Sequence, residues 1–262
     1  MFFWVYGTGF AIVPLTETKT LHVEEVRVFS MTRVLPEVTV YAGPMGAGKT
    51  TRLYGKMGEL THLGIPYEAY RPGVDVRDVV IAPRGYVVSA HAALTPNCTT
   101  VASLGDIPIE ELVLRGITTL FLEEWFMFGF DQQRRPISGL YRDMMGRWAL
   151  AGIERVYAAG LDQGASGNQF GLVADARRYG AKVVACTARC EYPVNGERDP
   201  KCGRVARNSQ IYDGRDNRAF DMETLPDLLP EGLRPHDRYR AVCTEHLLLP
   251  AEQTKPFDPM QT

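Results

Sequence analysis

The chain has few of the features that mark polymer-binding, membrane or secreted proteins. Its 29 lysines and arginines are balanced by 31 aspartates and glutamates, giving a formal net charge of −2 with no long basic run. General electrostatic attraction to nucleic acid or to an anionic membrane is therefore not expected. Long apolar runs are also missing. The opening MFFWVYGTGFAIVP is apolar for about 14 residues, short of the ~20 that cross a bilayer, and it has no basic start of a secretory signal. With only five cysteines and no such signal, the sequence points to a reducing, cytoplasmic setting. Sulfur there serves as a metal ligand or a small buried hydrophobe rather than in disulfides. Internal repeats and low-complexity tracts are absent. What remains is an ordinary globular composition: 262 residues, 45% hydrophobic and 23% charged, enough for one large domain or one domain plus a small appendage.

The stretch YAGPMGAGKTTRL, starting at Tyr41, follows the apolar alternation VTVYA and matches G-x-x-x-x-G-K-[ST] from Gly43 to Thr50. Glycines 43, 46 and 48 let successive backbone amides curl around an anion. A helix beginning at Gly48 or Lys49 adds its unpaired amides and the positive end of its dipole. Lys49 is expected at the outer phosphates of a ligand and the Thr50 hydroxyl on magnesium, with Met45 and Thr51 in the same cradle. A glycine-rich turn without a ligand is the competing reading, and the order strand, loop, helix argues against it.

Strand and helix patterns then alternate. After a helix from Lys49 to Leu63 come IPYEAYRP, GYVVSA and TTVASL, a helix over IPIEELVLR, the strand ITTLFLEE and a helix through ISGLYRDMMGRWALAG. The strand RVYAAGLD, the helix FGLVADARRYG and the strand AKVVACTA follow. Such a series predicts an α/β fold: a P-loop parallel sheet covered by helices on both faces, with ligands at the carboxyl ends of its strands. From Cys190 onward Pro, Gly, Arg and Asp dominate and apolar periodicity fades, which suggests a small irregular module. The expected organisation is an N-terminal extension over 1–35, a P-loop domain over 36–188, a small irregular module over 189–250 and a tail over 251–262. Met31 opens MTRVLPEVTVYAGPMG, a natural chain start, so residues 1–30 read either as an added hairpin or as untranslated.

Two carboxylates close the strand TTLFLEEWFMF. Glu123 fits the acid that holds magnesium beside a phosphate loop. Glu124, on the other side of the pleat, fits the base that takes a proton from an attacking hydroxyl; the alternative is two solvated glutamates. Asp75 and Arg77 in RPGVDVRDVV pair a carboxylate with a guanidinium suited to a phosphoryl group, or form a plain surface ion pair. The loop AGLDQGASGNQFG lacks a lysine at the phosphate position, so Leu161 and Phe170 are expected to line a substrate ring. Cys190, Cys202, Cys243 and His246 offer sulfur and imidazole for tetrahedral zinc, although 11 residues separate the first two cysteines. Unligated thiols are the alternative, and Cys186 competes with Cys190 for the first place.

These segments, taken together with CGRVARNSQ and RYRAVCTEH, resemble the type II thymidine kinases in order and spacing over about residues 36 to 247. The resemblance implies a zinc-stapled lasso that closes over thymidine, phosphorylation of the nucleoside 5′-hydroxyl by ATP, and commonly a homotetramer. It assigns Lys49, Thr50 and Glu123 to phosphates and magnesium, Glu124 to the general base, and Asp75 and Arg77 to the vicinity of the phosphates. Met45, Leu161 and Phe170 would wall the base pocket, with Ser209 and Tyr239 of the lasso at the nucleoside. The sequence departs from the family pattern at EEWFMF, where Glu123 stands for aspartate, Trp125 for a small residue and Phe126 for glutamine. Ala165 and Gly167 replace an aromatic and a basic residue. Trp125 is accordingly expected beside the base. A kinase for another or modified pyrimidine nucleoside, and a regulatory ATPase without nucleoside turnover, are the alternatives.

Overall fold

The computed structural model describes residues 34–73, 80–82, 86–89, 92–96, 98–131, 135–164, 169–192, 202–212 and 238–247. In chain order these form β1 (Glu37–Ala42), α1 (Lys49–His62), β2 (Glu68–Pro72), β3 (Val80–Ala82), β4 (Tyr86–Ser89), β5 (Ala92–Pro96) and β6 (Thr99–Val101). Next come α2 (Ile109–Leu114), β7 (Thr119–Leu122), α3 (Leu140–Ala151), β8 (Arg155–Gly160), α4 (Gly171–Arg178) and β9 (Lys182–Ala185). The short strands β10 (Ala188–Arg189), β11 (Val205–Ala206), β12 (Asn208–Tyr212) and β13 (Arg238–Val242) complete the described elements.

Six strands make one parallel sheet in the order β6-β2-β7-β8-β1-β9. Alternation along each strand sorts its two faces. Val38, Val40 and Ala42 of β1, Leu120 and Leu122 of β7, and Val156 and Ala158 of β8 meet Tyr141, Met145 and Trp148 of α3 and Leu172, Val173 and Ala176 of α4. The intervening residues Phe121 and Ala159 face the other way, onto Leu53, Met57 and Leu60 of α1. Leu53, Met57 and Leu60 fall on one stripe of that helix, and each buried side chain contributes about 1.5–3 kcal/mol by leaving water. β7 lies inside the sheet, and all four of its residues are buried.

The expected βα series holds except at GYVVSA. That segment is β4, the middle strand of an antiparallel β3-β4-β5 meander apart from the parallel sheet. Connections as short as 83–85 and 90–91 can only reverse the chain, since a parallel return needs a crossover of about a dozen residues or more. Beyond β9 the chain leaves the parallel sheet for two small antiparallel pairs, β10 with β11 and β12 with β13. Among the described residues no helix is long and apolar enough to cross a membrane.

Candidate functional site

Because the sheet is parallel, the carboxyl ends of β1, β7 and β8 share one edge, and each leads into a segment with polar chemistry. β1 runs into the glycine-rich loop. Gly46 and Gly48 adopt φ of 67° and 69°, backbone that side-chain-bearing residues rarely take. A Cβ at either would meet nothing within 4 Å, so the loop faces open space. Gly43 is required for another reason: a Cβ there would lie 2.1 Å from the Cys186 carbonyl oxygen. The same segment donates the Cys186 amide to Ala42 at 2.7 Å, so the loop is seated directly on the end of β9.

Gly43→Ala is therefore expected to displace backbone and cost roughly 3 kcal/mol or more, at the upper end of overpacking effects. Gly46→Ala meets no neighbour and should cost only the ~1–2 kcal/mol of left-handed backbone. Denaturant midpoints of the two variants check this; equal losses would refute the crowding at Gly43.

Lys49 opens α1 with its side chain 7% exposed, and its Nζ donates to the Pro44 carbonyl at 2.6 Å. Thr50 is half-buried beside it and Thr51 is exposed. The first amide closed into the helix is that of Arg52, to Gly48 at 3.0 Å. Earlier amides of a helix have no carbonyl partner within it and suit an anion.

The two glutamates do not stand on opposite sides of a pleat, because β7 ends at Leu122. Both lie in the turn that follows. The Glu123 amide bonds the Tyr70 carbonyl at 2.9 Å, and its Oε2 accepts the Tyr54 hydroxyl at 2.5 Å. Tyr54 is one helical turn after Thr50, so Glu123 is held against the face of α1 that carries Thr50. Glu124 has φ 45° and ψ 37°, the only positive φ outside glycine among the described residues. A strained backbone of this kind costs about 1–3 kcal/mol and clusters where function demands it. The turn also sends Trp125 inward. It is 1% exposed, edge-on to Tyr141 at 6.2 Å and packed on Gly160.

β8 leads into the second loop. Leu161 is partly buried against the core, and Phe170 stacks on Phe126 at 4.5 Å. Asp162, between them, is a residue that sequence reasoning passed over. Burial raises its carboxyl above the usual range, against the charges of Arg177 and Lys49, and its Oδ1 has no hydrogen-bond partner among the described residues. The signal was available: an acid following an apolar strand, as at Glu123.

β12 closes over this edge. The Ser209 hydroxyl accepts the Met45 amide at 2.9 Å, joining positions 164 apart in sequence. Gln163 Nε2 donates to Asn208 Oδ1 at 2.8 Å and to the Arg207 carbonyl at 3.2 Å. Met45, Ser209, Lys49 and the second loop are thus brought together. Asp75 and Arg77 lie outside the described residues, as do Ala165, Gly167 and the side chain of Tyr239; on the backbone Tyr239 pairs with Ile211.

The four expected metal ligands converge. Ligand atoms of Cys190, Cys202, Cys243 and His246 lie within 4.8 Å of one another. Tetrahedral zinc with ordinary Zn–S and Zn–N bonds implies S···N edges of roughly 3.5 Å. His246 Nδ1 lies 3.5 Å from the Cys190 sulfur and 3.4 Å from that of Cys243. Burial, followed by the Arg204 charge, holds His246 below its ordinary pKa, favouring the neutral imidazole that ligates. Tyr192 stacks on the imidazole at 4.3 Å. Cys186 is elsewhere, beside Gly43, so Cys190 is the first member of the cluster.

No protein-family model matches the chain. Two curated proteins named thymidine kinase, from two strains of Ureaplasma parvum serovar 3, are each 24% identical to it over 220 residues, covering 81% of this chain and 83% of each relative. The chain is thus distantly similar to thymidine kinases across most of both lengths.

Proposed function

We propose that the protein is an ATP-dependent nucleoside kinase that phosphorylates a 5′-hydroxyl, with thymidine as the leading acceptor. The observation that supports this most is the Met45–Ser209 hydrogen bond. It sets the strand β12 against an anion cradle, giving one site with a phosphate side and an acceptor side. The distant similarity to thymidine kinases agrees with that division.

The chain's residues fit both parts of the nucleotide and its metal. The open glycine loop and the start of α1 would hold the β- and γ-phosphates, and Lys49 would turn its ammonium from the Pro44 carbonyl to them. Thr50 and Glu123 offer the hydroxyl and carboxylate oxygens that suit magnesium, which when bound neutralises charge on the outer phosphates. Glu124 would receive the proton of the 5′-hydroxyl as that oxygen attacks in line. Leu161 and Phe170 would wall the base, and Ser209 with Tyr239 would close over the nucleoside. Trp125 would act from within the core, as backing for the strand end at Gly160. The group of three cysteines and one histidine would carry structural zinc.

A screen of natural and base-modified nucleosides with labelled ATP tests acceptor and class together. Transfer to thymidine and related pyrimidine nucleosides is expected. ATP hydrolysis indifferent to every nucleoside would replace this proposal with a regulatory ATPase. Glu124→Gln should lower kcat by about 10²- to 10⁴-fold with little change in ATP binding; unchanged kcat would remove it as the base.

A further inference from the structure

The acid after β7 is held by a residue outside the glycine-rich motif. The Tyr54 hydroxyl donates to Glu123 Oε2 across 69 positions of sequence, in a partly buried contact of 2.5 Å. Hydrogen bonds from a hydroxyl to a carboxylate are short and about twice as strong as neutral ones. From another side the Cys98 thiol faces the same oxygen at 4.0 Å. The ring of Tyr54 is anchored as well, packed with Leu53, Met57 and Phe121 on the α1 face of the sheet. A glutamate in a turn beyond its strand has several side-chain rotamers. A rigid donor on one oxygen selects among them.

We propose that Tyr54 is a positioning residue: through its hydrogen bond to Glu123 it orients that carboxylate toward the Thr50 face of α1 and sets the affinity for a divalent cation bound with nucleotide. The inference rests on Glu123 as the magnesium-holding acid. Tyr54→Phe keeps the packed ring and removes only the hydroxyl, so Glu123 keeps its charge and loses this donor. Outer partners of metal-holding groups are typically worth ~10- to 100-fold in metal affinity. With phosphates and water sharing the coordination, the lower end of that range, about 10-fold, is expected here.

The experiment is calorimetric binding of ADP to the full-length chain as Mg²⁺ is varied, for the unaltered protein, Tyr54→Phe and Glu123→Gln. Tyr54→Phe should raise the Mg²⁺ concentration for half-maximal binding about 10-fold, with magnesium-free ADP affinity and melting temperature unchanged. If only Glu123→Gln raises that midpoint, the role of Tyr54 is overturned while the reading of Glu123 stands. If neither variant moves it, both fall. Equal weakening of ADP binding with and without Mg²⁺ in Tyr54→Phe would make Tyr54 a packing residue of α1 and likewise overturn the inference.

Discussion

Lys49→Ala is expected to lower phosphoryl transfer by about 10²- to 10³-fold in kcat/KM, the range for losing one preorganised donor at a developing charge. The chain should stay folded. Lys49 is buried, and its Nζ donates to the Pro44 carbonyl of its own loop at 2.6 Å. Deleting the ammonium therefore takes one charge from the cradle and leaves the stripe of Leu53, Met57 and Leu60 that holds α1 to the sheet. The measurement is initial rates with labelled ATP, alongside a thermal melt. Near-normal turnover in a folded variant would sink the assignment of this loop to the phosphates.

Metal analysis should find about one zinc per chain, and chelation should loosen β12 and β13 before the parallel sheet melts. Among the described residues, the buried cluster around these strands is Cys190, Ala206, Ala241, Val242 and Cys243, with Ala188, Tyr192, Cys202 and Leu247 packed beside it. Of these five buried residues, two belong to the candidate metal group, so a bound metal would add to the apolar burial that the described residues provide. Structural zinc binds with roughly 10–16 kcal/mol in small peptides at neutral pH, and that energy is folding energy. Removal should accordingly raise amide exchange through Asn208–Tyr212 and Arg238–Val242 and break the Ser209 contact with the glycine loop. Cys190→Ser should lose the metal and Cys186→Ser should keep it. Protein never exposed to chelator but free of zinc would reject the site.

Elements that depend on local pattern were legible from the residues alone. The period-2 and period-3.6 apolar patterns placed the six parallel strands and four helices, because burial of one face or one stripe is written in neighbouring residues. The glycine loop and the four ligands Cys190, Cys202, Cys243 and His246 were legible too, since each residue type has a chemical reason at its position. Other features depend on segments far apart in the chain and emerge only on folding. GYVVSA reads as any strand, and only its pairing partners make it part of an antiparallel meander. Glu123 and Glu124 read as alternate positions of a pleat, yet hydrogen bonding to β8 stops at Leu122, and the turn beyond it gives Glu124 its left-handed backbone and sends Trp125 into the core. Tyr54 on Glu123 and Ser209 on Met45 join positions 69 and 164 residues apart. No local periodicity encodes such contacts; they exist because a parallel sheet brings the carboxyl ends of its strands to one edge.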